Sequence, residues 1–340
     1  MEEEVIGMTL DLFHGPEEAT GTMTSGGTES ILLAVKACRD AARAHRGDAM
    51  HRGNLVLPST AHPAFDKAAL LMDLPVRRIS VGVDLRADVA AMGAAVDADT
   101  IMLVGSVPCF PYGVVDPLPA LSELALSCEV WLHVDACVGG YFAPFAREVG
   151  RPIPSFDFDL PGVMSLSADL HKFGFCPKPA STVFFRTAGP VAERGFDLDV
   201  WPSGRFTTAT FVGTRPGGGV AGAWAVLNHL GREGYRALAT RLLTMRDAYV
   251  AGIEAIPGLQ IHGVPDLSIL AFGGPKLDMG QVAAGMSARG WVPGMVREPP
   301  GLHAMMSLLH EPSREAYLSD LQASVAEAST RSGQSIRAVY

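Results

Sequence analysis

A lysine at the end of a buried strand is poorly placed for solubility and well placed for chemistry. The run Ser165-Leu166-Ser167-Ala168-Asp169-Leu170-His171-Lys172 supplies one. The apolar segment Val163 to Leu166 delivers a His-Lys pair, and Gly174 and Pro177 then turn the chain before a second β-rich run, Ser181 to Arg186. Burial disfavours the charged form of an amine. The expectation is therefore a Lys172 pKa lowered toward the neutral nucleophile that forms an imine with a carbonyl. Asp135 closes another apolar run, Val130 to Val134, and His62 lies in the turn Thr60-Ala61-His62 behind a third. Both have ordinary alternatives: an Asp after a strand caps turns, and a single His is more often a packed or surface residue than a catalyst.

A second chemical feature lies nearer the N-terminus. Thr22-Met23-Thr24-Ser25-Gly26-Gly27-Thr28-Glu29-Ser30 feeds the stretch Ile31 to Ala44, rich in Ala, Leu and Val. A glycine-bearing turn at the start of a long helix offers free N–H groups and the positive end of the helix dipole to an anion. A single Ser or Thr suffices for a helix cap. Two glycines and five hydroxyls in this stretch point instead to phosphate.

Something must bring these groups together. Met1 to Phe13 has helical spacing. Asn54 to Pro58, Val76 to Val81, Thr100 to Ser106 and Val130 to Val134 read as strands, separated by helices over Pro63 to Met72, Leu85 to Val96 and Leu118 to Cys128. That alternation predicts a mostly parallel sheet flanked by helices, with ligands at the carboxyl ends of its strands. Asp135, Lys172 and the His62 turn all lie just past such ends. Gly195 to Arg215 mixes aromatic, Gly and Thr residues and could pass for a linker, but it opens directly into helix Ala221 to Leu230. A helix over Arg232 to Ile256 follows, then strands at Leu259 to His262, Ser268 to Phe272 and Leu302 to Leu309, with helices Gln281 to Ala288 and Arg314 to Ala328. The expected division is a large domain over 1–230 and a small α+β domain over 231–340.

The bulk properties exclude several classes. With 340 residues, 48% hydrophobic and 19% charged, the chain can bury a large core. A formal net charge of -9 and the lack of a basic run argue against a nucleic-acid surface. Cys38, Cys109, Cys128, Cys137 and Cys176 are scattered without a C-x-x-C pair, which favours reduced thiols over disulfides or a zinc site. Cys137 and Cys176 are read as small apolar packing. No apolar run approaches the roughly 20 residues that span a bilayer. The acidic Met1-Glu2-Glu3-Glu4 is not followed by a signal-like apolar stretch. The expectation is a soluble cytoplasmic protein.

In their order along the chain, these motifs resemble the fold-type I pyridoxal-phosphate enzymes. The likeness is to the group II decarboxylase superfamily, and within it to the sphingosine-1-phosphate lyases and their bacterial homologues. It rests on Thr24 to Ile31, Thr60 to Ala68, Phe110 to Pro117, His133 to Gly140, Ser167 to Lys172 and Gly213 to Gly218. The resemblance implies pyridoxal 5'-phosphate as cofactor, with Lys172 holding its aldehyde and Asp135 keeping the ring nitrogen protonated so that the ring can withdraw electrons. It implies that His62 stacks on the ring and relays protons. Gly26, Gly27 and Thr28 would hold the phosphate, with His171 adding a donor. Gly213 and Thr214 would reach that phosphate across the interface of a homodimer. Lys178 matches the lysine that contacts a substrate phosphate, though it also reads as a solvated loop lysine. Tyr112 reads equally as a proton-transfer group or as packing on Pro111.

The sequence also departs from that pattern. The lyases carry an N-terminal segment with an Asn-Pro-Leu-His-type stretch before the point where this sequence starts, which suggests a short gene, a truncated chain or a misassigned start. Phe173, Phe175 and Phe206 stand where the family has tyrosines, and Ala209 where proline is usual. Arg205 replaces an apolar residue; its fork could pair with a substrate carboxylate, and a surface arginine is the plainer reading. Three functions follow. The first is retro-aldol cleavage of a phosphorylated amino alcohol, the second amino-acid decarboxylation, and the third binding without turnover in a truncated homologue.

Overall fold

A computed structural model describes residues 1–189 and 195–330; positions 331–340 of the expected small domain lie outside the described residues. The chain opens with α1 (Glu2–Leu12), β1 (Thr20–Thr24) and α2 (Gly27–Arg46). Strands and helices then alternate: β2 (Asn54–Pro58), α3 (Ala64–Met72), β3 (Val76–Ile79), α4 (Val89–Ala95), β4 (Thr100–Ser106), α5 (Leu118–Cys128) and β5 (Trp131–Asp135). Helix α6 (Ala143–Glu148), β6 (Val163–Ala168) and β7 (Ser181–Phe185) complete this part. The strands form a seven-stranded sheet in the order β1-β7-β6-β5-β4-β2-β3. Pairs β2–β3, β2–β4, β4–β5 and β5–β6 are parallel, whereas β7 runs antiparallel to both β6 and β1. Strand β1 therefore points the same way as the parallel five.

Side chains alternate between the two faces of each strand, and both faces are covered. Leu55, Leu57, Met102 and Val104 pack under Ile31 and Val35 of α2 and Phe65 of α3. Their neighbours Val56 and Leu103 point the other way, into the same core as Leu118 and Leu121 of α5 and Phe142 and Phe145. This is the mostly parallel, helix-flanked α/β sheet expected from the sequence. It is joined to a smaller antiparallel sheet from the C-terminal part.

After β7 come the short strands β8 (Phe196–Leu198) and β9 (Phe206–Thr208), paired as a two-stranded ribbon within the Gly195 to Arg215 segment, for which the sequence predicted no strands. The two expected helices are present and run on from one another as α7 (Gly217–Glu254), with the break between them at Gly231 (φ 54°, ψ -174°), the residue between their expected bounds. Only glycine reaches that conformation without strain, so the axis can change direction while helical bonding resumes on both sides. The C-terminal elements are β10 (Gln260–Ile261), β11 (Ile269–Gly273), α8 (Met279–Ala288), β12 (Gly294–Arg297), β13 (Pro300–Met305) and α9 (Arg314–Thr330). Their strands form an antiparallel sheet in the order β10-β11-β13-β12. Helix α6 and strand β12 are too short to show a period and were not legible in the sequence. Helix α4 starts later than Leu85, because Asp84 accepts the Arg86 N–H in a turn and Asp88 caps the helix through Ala91 N. Among the described residues no helix is long and apolar enough to cross a membrane.

One polar group in this core sets a pH limit. His133 on β5 is fully buried, its Nδ1 2.8 Å from Ser165 Oγ and its Nε2 3.2 Å from Ser167 Oγ, with the Phe65 ring 5.6 Å away. Burial lowers its pKa from 6.5 to about 4. The unfolded chain takes up a proton at this residue below about pH 6.5 and the folded chain does not. His133 therefore contributes stability that is complete above pH 6.5 and lost as pH falls toward 4. The loss should be on the order of 3 kcal/mol. Urea unfolding of apo protein across this range should show it. His133→Gln, although less stable at neutral pH, should lack that part of the acid sensitivity; an unchanged pH profile would contradict the assignment.

Candidate active site

Because β1, β2, β4, β5 and β6 all point one way, their carboxyl ends open onto one edge of the sheet. There the chain leaves β2 for His62, ends β4 at Ser106 and β5 at Asp135, and leaves β6 for Asp169, His171 and Lys172. Strand β1 leads on the same edge to the start of α2. A cavity of about 420 Å³ lies at this edge, lined by His62, Asp135, His171, Lys172 and Lys178 together with Gly26, Gly27 and Thr28. Eight of the positions singled out in the sequence therefore share one cavity.

The surroundings of Lys172 reverse one expectation. Its Nζ lies 2.9 Å from Asp169 Oδ2, and Asp169 is almost completely buried. Burial pulls the amine's pKa down, but the Asp169 carboxylate, with a smaller push from Asp135, outweighs it, and the net direction is upward. Burial lifts the neighbouring Cys137 thiol well above its usual range, so it is neutral and adds no charge here. Lys172 is thus held as an ammonium, not poised as a neutral amine. Asp169 is itself fixed from behind: Ser181 Oγ donates to its Oδ1 at 2.5 Å, Ser30 Oγ lies 2.9 Å from Ser181 Oγ, and Thr24 Oγ1 lies 2.6 Å from Ser30. The chain of hydroxyls links β1, α2, β7 and the lysine loop. His171 Nδ1 accepts from Ala180 N at 3.2 Å. Burial, joined by the Lys172 and Lys178 charges, pulls His171 below its ordinary pKa despite Asp169.

The opposite side of the cavity carries acceptor and stacking groups. Asp135 Oδ1 accepts from Cys137 N at 3.1 Å. Beside it in register, Ser106 Oγ is buried without a hydrogen-bond partner and lines the cavity. His62 is half-buried; its Nδ1 accepts from Ala64 N at 3.1 Å, and its ring lies 6.4 Å from Phe110 at 85°. At the anion end, α2 starts without a side-chain cap on Gly26. The N–H groups of Gly27 and Thr28 find no acceptor among the described residues. A Cβ on Gly27 would sit 2.7 Å from Cys137 Sγ and 3.0 Å from both Asp169 oxygens, so this glycine is required by close approach. Of the hydroxyls in that stretch, Thr24 and Ser30 are consumed in the buried chain. Ser25 donates through N (2.7 Å) and Oγ (2.6 Å) to Glu29, and Thr22, whose Oγ1 lies 3.5 Å from the Met23 carbonyl, does not line the cavity, which leaves Thr28 as the hydroxyl free for a ligand.

Four candidates lie elsewhere. Tyr112 is buried, but its hydroxyl donates to the Glu298 carbonyl beside β13 and does not line the cavity. Arg205 is exposed on the ribbon and paired with Asp197, Nε to Oδ1 at 2.8 Å. Gly213 and Thr214 are exposed and line no part of this chain's cavity. Conversely, Asp169, Ser106 and Glu29 belong to the site and were not picked out. Asp169 stood inside the His-Lys motif, where its spacing to Lys172 was a usable signal; Ser106 gave none.

A family model described as "Pyridoxal-dependent decarboxylase conserved domain" matches residues 1–272. The sphingosine-1-phosphate lyase of Oryza sativa subsp. japonica is 40% identical over 330 residues, which cover 96% of this chain and 61% of that protein. The chain thus spans less than two thirds of that relative's length. A "Probable L-tyrosine/L-aspartate decarboxylase" of Methanothermobacter thermautotrophicus is 33% identical over 323 residues, covering 95% of this chain and 86% of that protein. Among solved structures, the sphingosine-1-phosphate lyase of Burkholderia pseudomallei K96243 superposes with a TM-score of 0.91 at 39% identity, over 96% of this chain and 77% of that one.

The ion pair makes a prediction that needs no ligand. In Asp169→Asn, burial of Lys172 is no longer offset by its nearest carboxylate, so the amine's pKa should fall. At mildly alkaline pH, acetic anhydride should label Lys172 of the apo variant roughly tenfold or more faster than in the parent, for a drop of at least one pKa unit. Mass spectrometry of the Lys172 peptide reads the result; equal labelling would show that Asp169 does not hold the proton.

Proposed function

The chain belongs to the pyridoxal-dependent decarboxylase family, homologous to the sphingosine-1-phosphate lyases, and uses pyridoxal 5'-phosphate; from that premise we propose that it is a carbon–carbon lyase. Its substrate would be a phosphorylated amino alcohol, split between C2 and C3 into an aldehyde and a phosphorylated amine. The cavity fits the cofactor on its own terms. It has an amine and a carboxylate within one space, two free N–H groups at a helix start for a phosphate, and in Ser106 a buried hydroxyl that lacks a partner.

When bound, the cofactor supplies an aldehyde for amines and a ring that withdraws electrons from the carbon beside the bound nitrogen. The residues would do the rest. Lys172 holds the aldehyde, Gly27 and Thr28 hold the phosphate at the positive end of α2, and Asp135 keeps a proton on the ring nitrogen. His62 covers the ring face. Its Nδ1 is occupied by Ala64 N–H, so the nitrogen it has left for the cavity is Nε2. The proton of the substrate C3 hydroxyl needs a carrier in the cavity. Tyr112 is turned away toward Glu298 and does not line the cavity, so the carrier we assign is His62, through Nε2.

The observation that carries the lyase reading is Lys178. It is exposed yet lines the same cavity as Lys172, which puts a positive charge at the rim where a substrate phosphate would enter. Arg205, the group a decarboxylase would need for a carboxylate, is instead paired with Asp197 on the ribbon. Decarboxylation is the second reading, supported by the relative of which the chain covers 86%. We also propose a cytoplasmic homodimer. Phe196, Trp201, Phe206 and Phe211 are exposed on and beside the ribbon, immediately before Gly213 and Thr214. A second copy would cover that apolar surface and bring the two residues to its partner's phosphate end.

The test uses purified protein, pyridoxal phosphate, a phosphorylated long-chain amino alcohol and a panel of amino acids. Borohydride should fix one phosphopyridoxyl group, on the Lys172 peptide. The amino alcohol should yield aldehyde, and Lys178→Met should raise its KM about tenfold to a hundredfold, the worth of one charge-assisted contact. Borohydride labelling of Lys172 in that variant should be unchanged. Carbon dioxide from an amino acid, lost in Arg205→Met, would establish the decarboxylase instead. Labelling without any turnover would establish binding alone.

If the phosphate end is completed by a second copy, cofactor and assembly are linked by mass action. Sedimentation should then show apo protein dissociating at higher concentration than holo protein. A monomer that binds cofactor with undiminished affinity would contradict the dimer.

A further inference from the structure

We infer that Arg78, an edge-strand residue outside the cavity, is a positioning residue that fixes the orientation of His62. The inference rests on the reading of His62 as the residue covering the cofactor ring. Between β2 and α3 the chain turns at Pro58-Ser59-Thr60-Ala61-His62, and three carbonyls of this turn converge on one guanidinium nitrogen. Arg78 Nη1 donates to Ser59 O at 2.9 Å and Ala61 O at 3.0 Å, with Pro58 O at 3.4 Å. The rest of the fork is used on Asp66 in the first turn of α3: Nε donates to Oδ1 at 3.1 Å, and Nη2 pairs with Oδ2. One side chain thereby ties the end of β2, the turn and the start of α3 into a single unit.

The turn lacks means of its own for this. Thr60 Oγ1 in its middle is buried without a hydrogen-bond partner. Its own backbone bonds are Ser59 N to Ile79 O at 2.7 Å, Ala61 N to Pro58 O at 3.0 Å and, at its end, Phe65 N to His62 O at 3.1 Å; none of them reaches the Ser59 and Ala61 carbonyls that Arg78 holds. Removing the guanidinium would leave three carbonyl dipoles facing one another with their shared donor gone. The residue that follows them is His62, and its ring is held by a single bond from the first turn of α3, Ala64 N to Nδ1. A backbone N–H can only donate, so Nδ1 must be the unprotonated nitrogen and neutral His62 carries its proton on Nε2. That tautomer persists only while the turn and α3 keep their relative position, which is the position Arg78 and Asp66 set. The exposed Arg78–Asp66 pair is by itself a weak stabiliser. Its consequence lies in geometry, and a lysine, with a point charge and no fork, would reproduce it only in part.

The test separates this role from the cofactor and from general stability. In apo protein labelled with ¹⁵N-histidine, and with His62 assigned by its loss in His62→Asn, long-range ¹H–¹⁵N spectra should show Nδ1 unprotonated and Nε2 protonated. In Arg78→Met the His62 signals should move toward tautomer averaging, and Arg78→Lys should fall between. Cofactor affinity, read by quenching of protein fluorescence, should weaken roughly tenfold in Arg78→Met, within the range for residues coupled in one network. The same substitution made in His62→Asn should add little further loss. If Arg78→Met does not fold, Arg78→Lys and Asp66→Asn carry the same comparisons. An unchanged His62 tautomer, or losses from Arg78 and His62 that simply add, would overturn the inference. Failure of all forms to bind pyridoxal phosphate would instead overturn the cofactor role of the cavity, with the spectra of apo protein still deciding the link between Arg78 and His62.

Discussion

An ammonium group at the end of a buried strand must have a counter-charge within reach, and in this chain Asp169 provides it. Much of the site's structure follows from that requirement. Asp169 is itself buried, so its remaining acceptor positions need donors. Ser181 on the reversed strand β7 supplies one, and the hydroxyl line continues through Ser30 on α2 to Thr24 on β1. Gly27 has no side chain because Asp169 and Cys137 occupy the space one would take. Lys172 and the start of α2 are therefore parts of one buried polar network. A change at either end is felt at the other.

That network has a chemical cost with a use. Asp169 keeps Lys172 protonated, which opposes attack on an aldehyde by the free protein. Yet the same carboxylate is 2.9 Å away and is the natural acceptor for the proton the amine must lose. Two further carboxylates, Asp135 and Glu29, line the cavity with it. Four positive or positive-capable groups, Lys172, Lys178, His62 and His171, stand against them. The anion-attracting elements of the cavity lie at two separate places: the start of α2 and the rim at Lys178. Two phosphates, one from a cofactor and one from a substrate, suit such an arrangement better than one.

The C-terminal sheet reaches this site indirectly. His303 Nε2 on β13 donates to the Phe110 carbonyl at 2.9 Å, and its ring packs on the Phe110 ring with centroids 4.7 Å apart. Phe110 in turn meets His62 edge-on and lines the cavity. Tyr112 ties the same loop to Glu298, and Arg86 pairs with Asp266 at 2.8 Å nearby. The loop after β4 is therefore clasped between the cavity and the small sheet, so any movement of that sheet acts on the wall of the site.

Those features that depend on neighbours in sequence were legible in sequence. The alternation of β-rich and helical runs gave the parallel sheet, and it also placed Asp135, His62 and Lys172 at strand ends, because period and turn chemistry are local. The glycines before α2 announced an anion site for the same reason. Short elements such as α6 and β12 escaped, since a few residues carry no period. The protonation of Lys172 escaped for a deeper reason: burial lowers an amine's pKa and a carboxylate raises it, and only coordinates show both. Asp169 stood in the motif itself, but nothing local says that Ser181, on another strand, would aim it at the lysine. Tyr112 and Arg205 make the same point in reverse. Each has the right chemistry for a catalytic or binding role, and the tertiary structure turned one toward Glu298 and the other toward Asp197, because a polar group goes to the partner that the fold brings nearest.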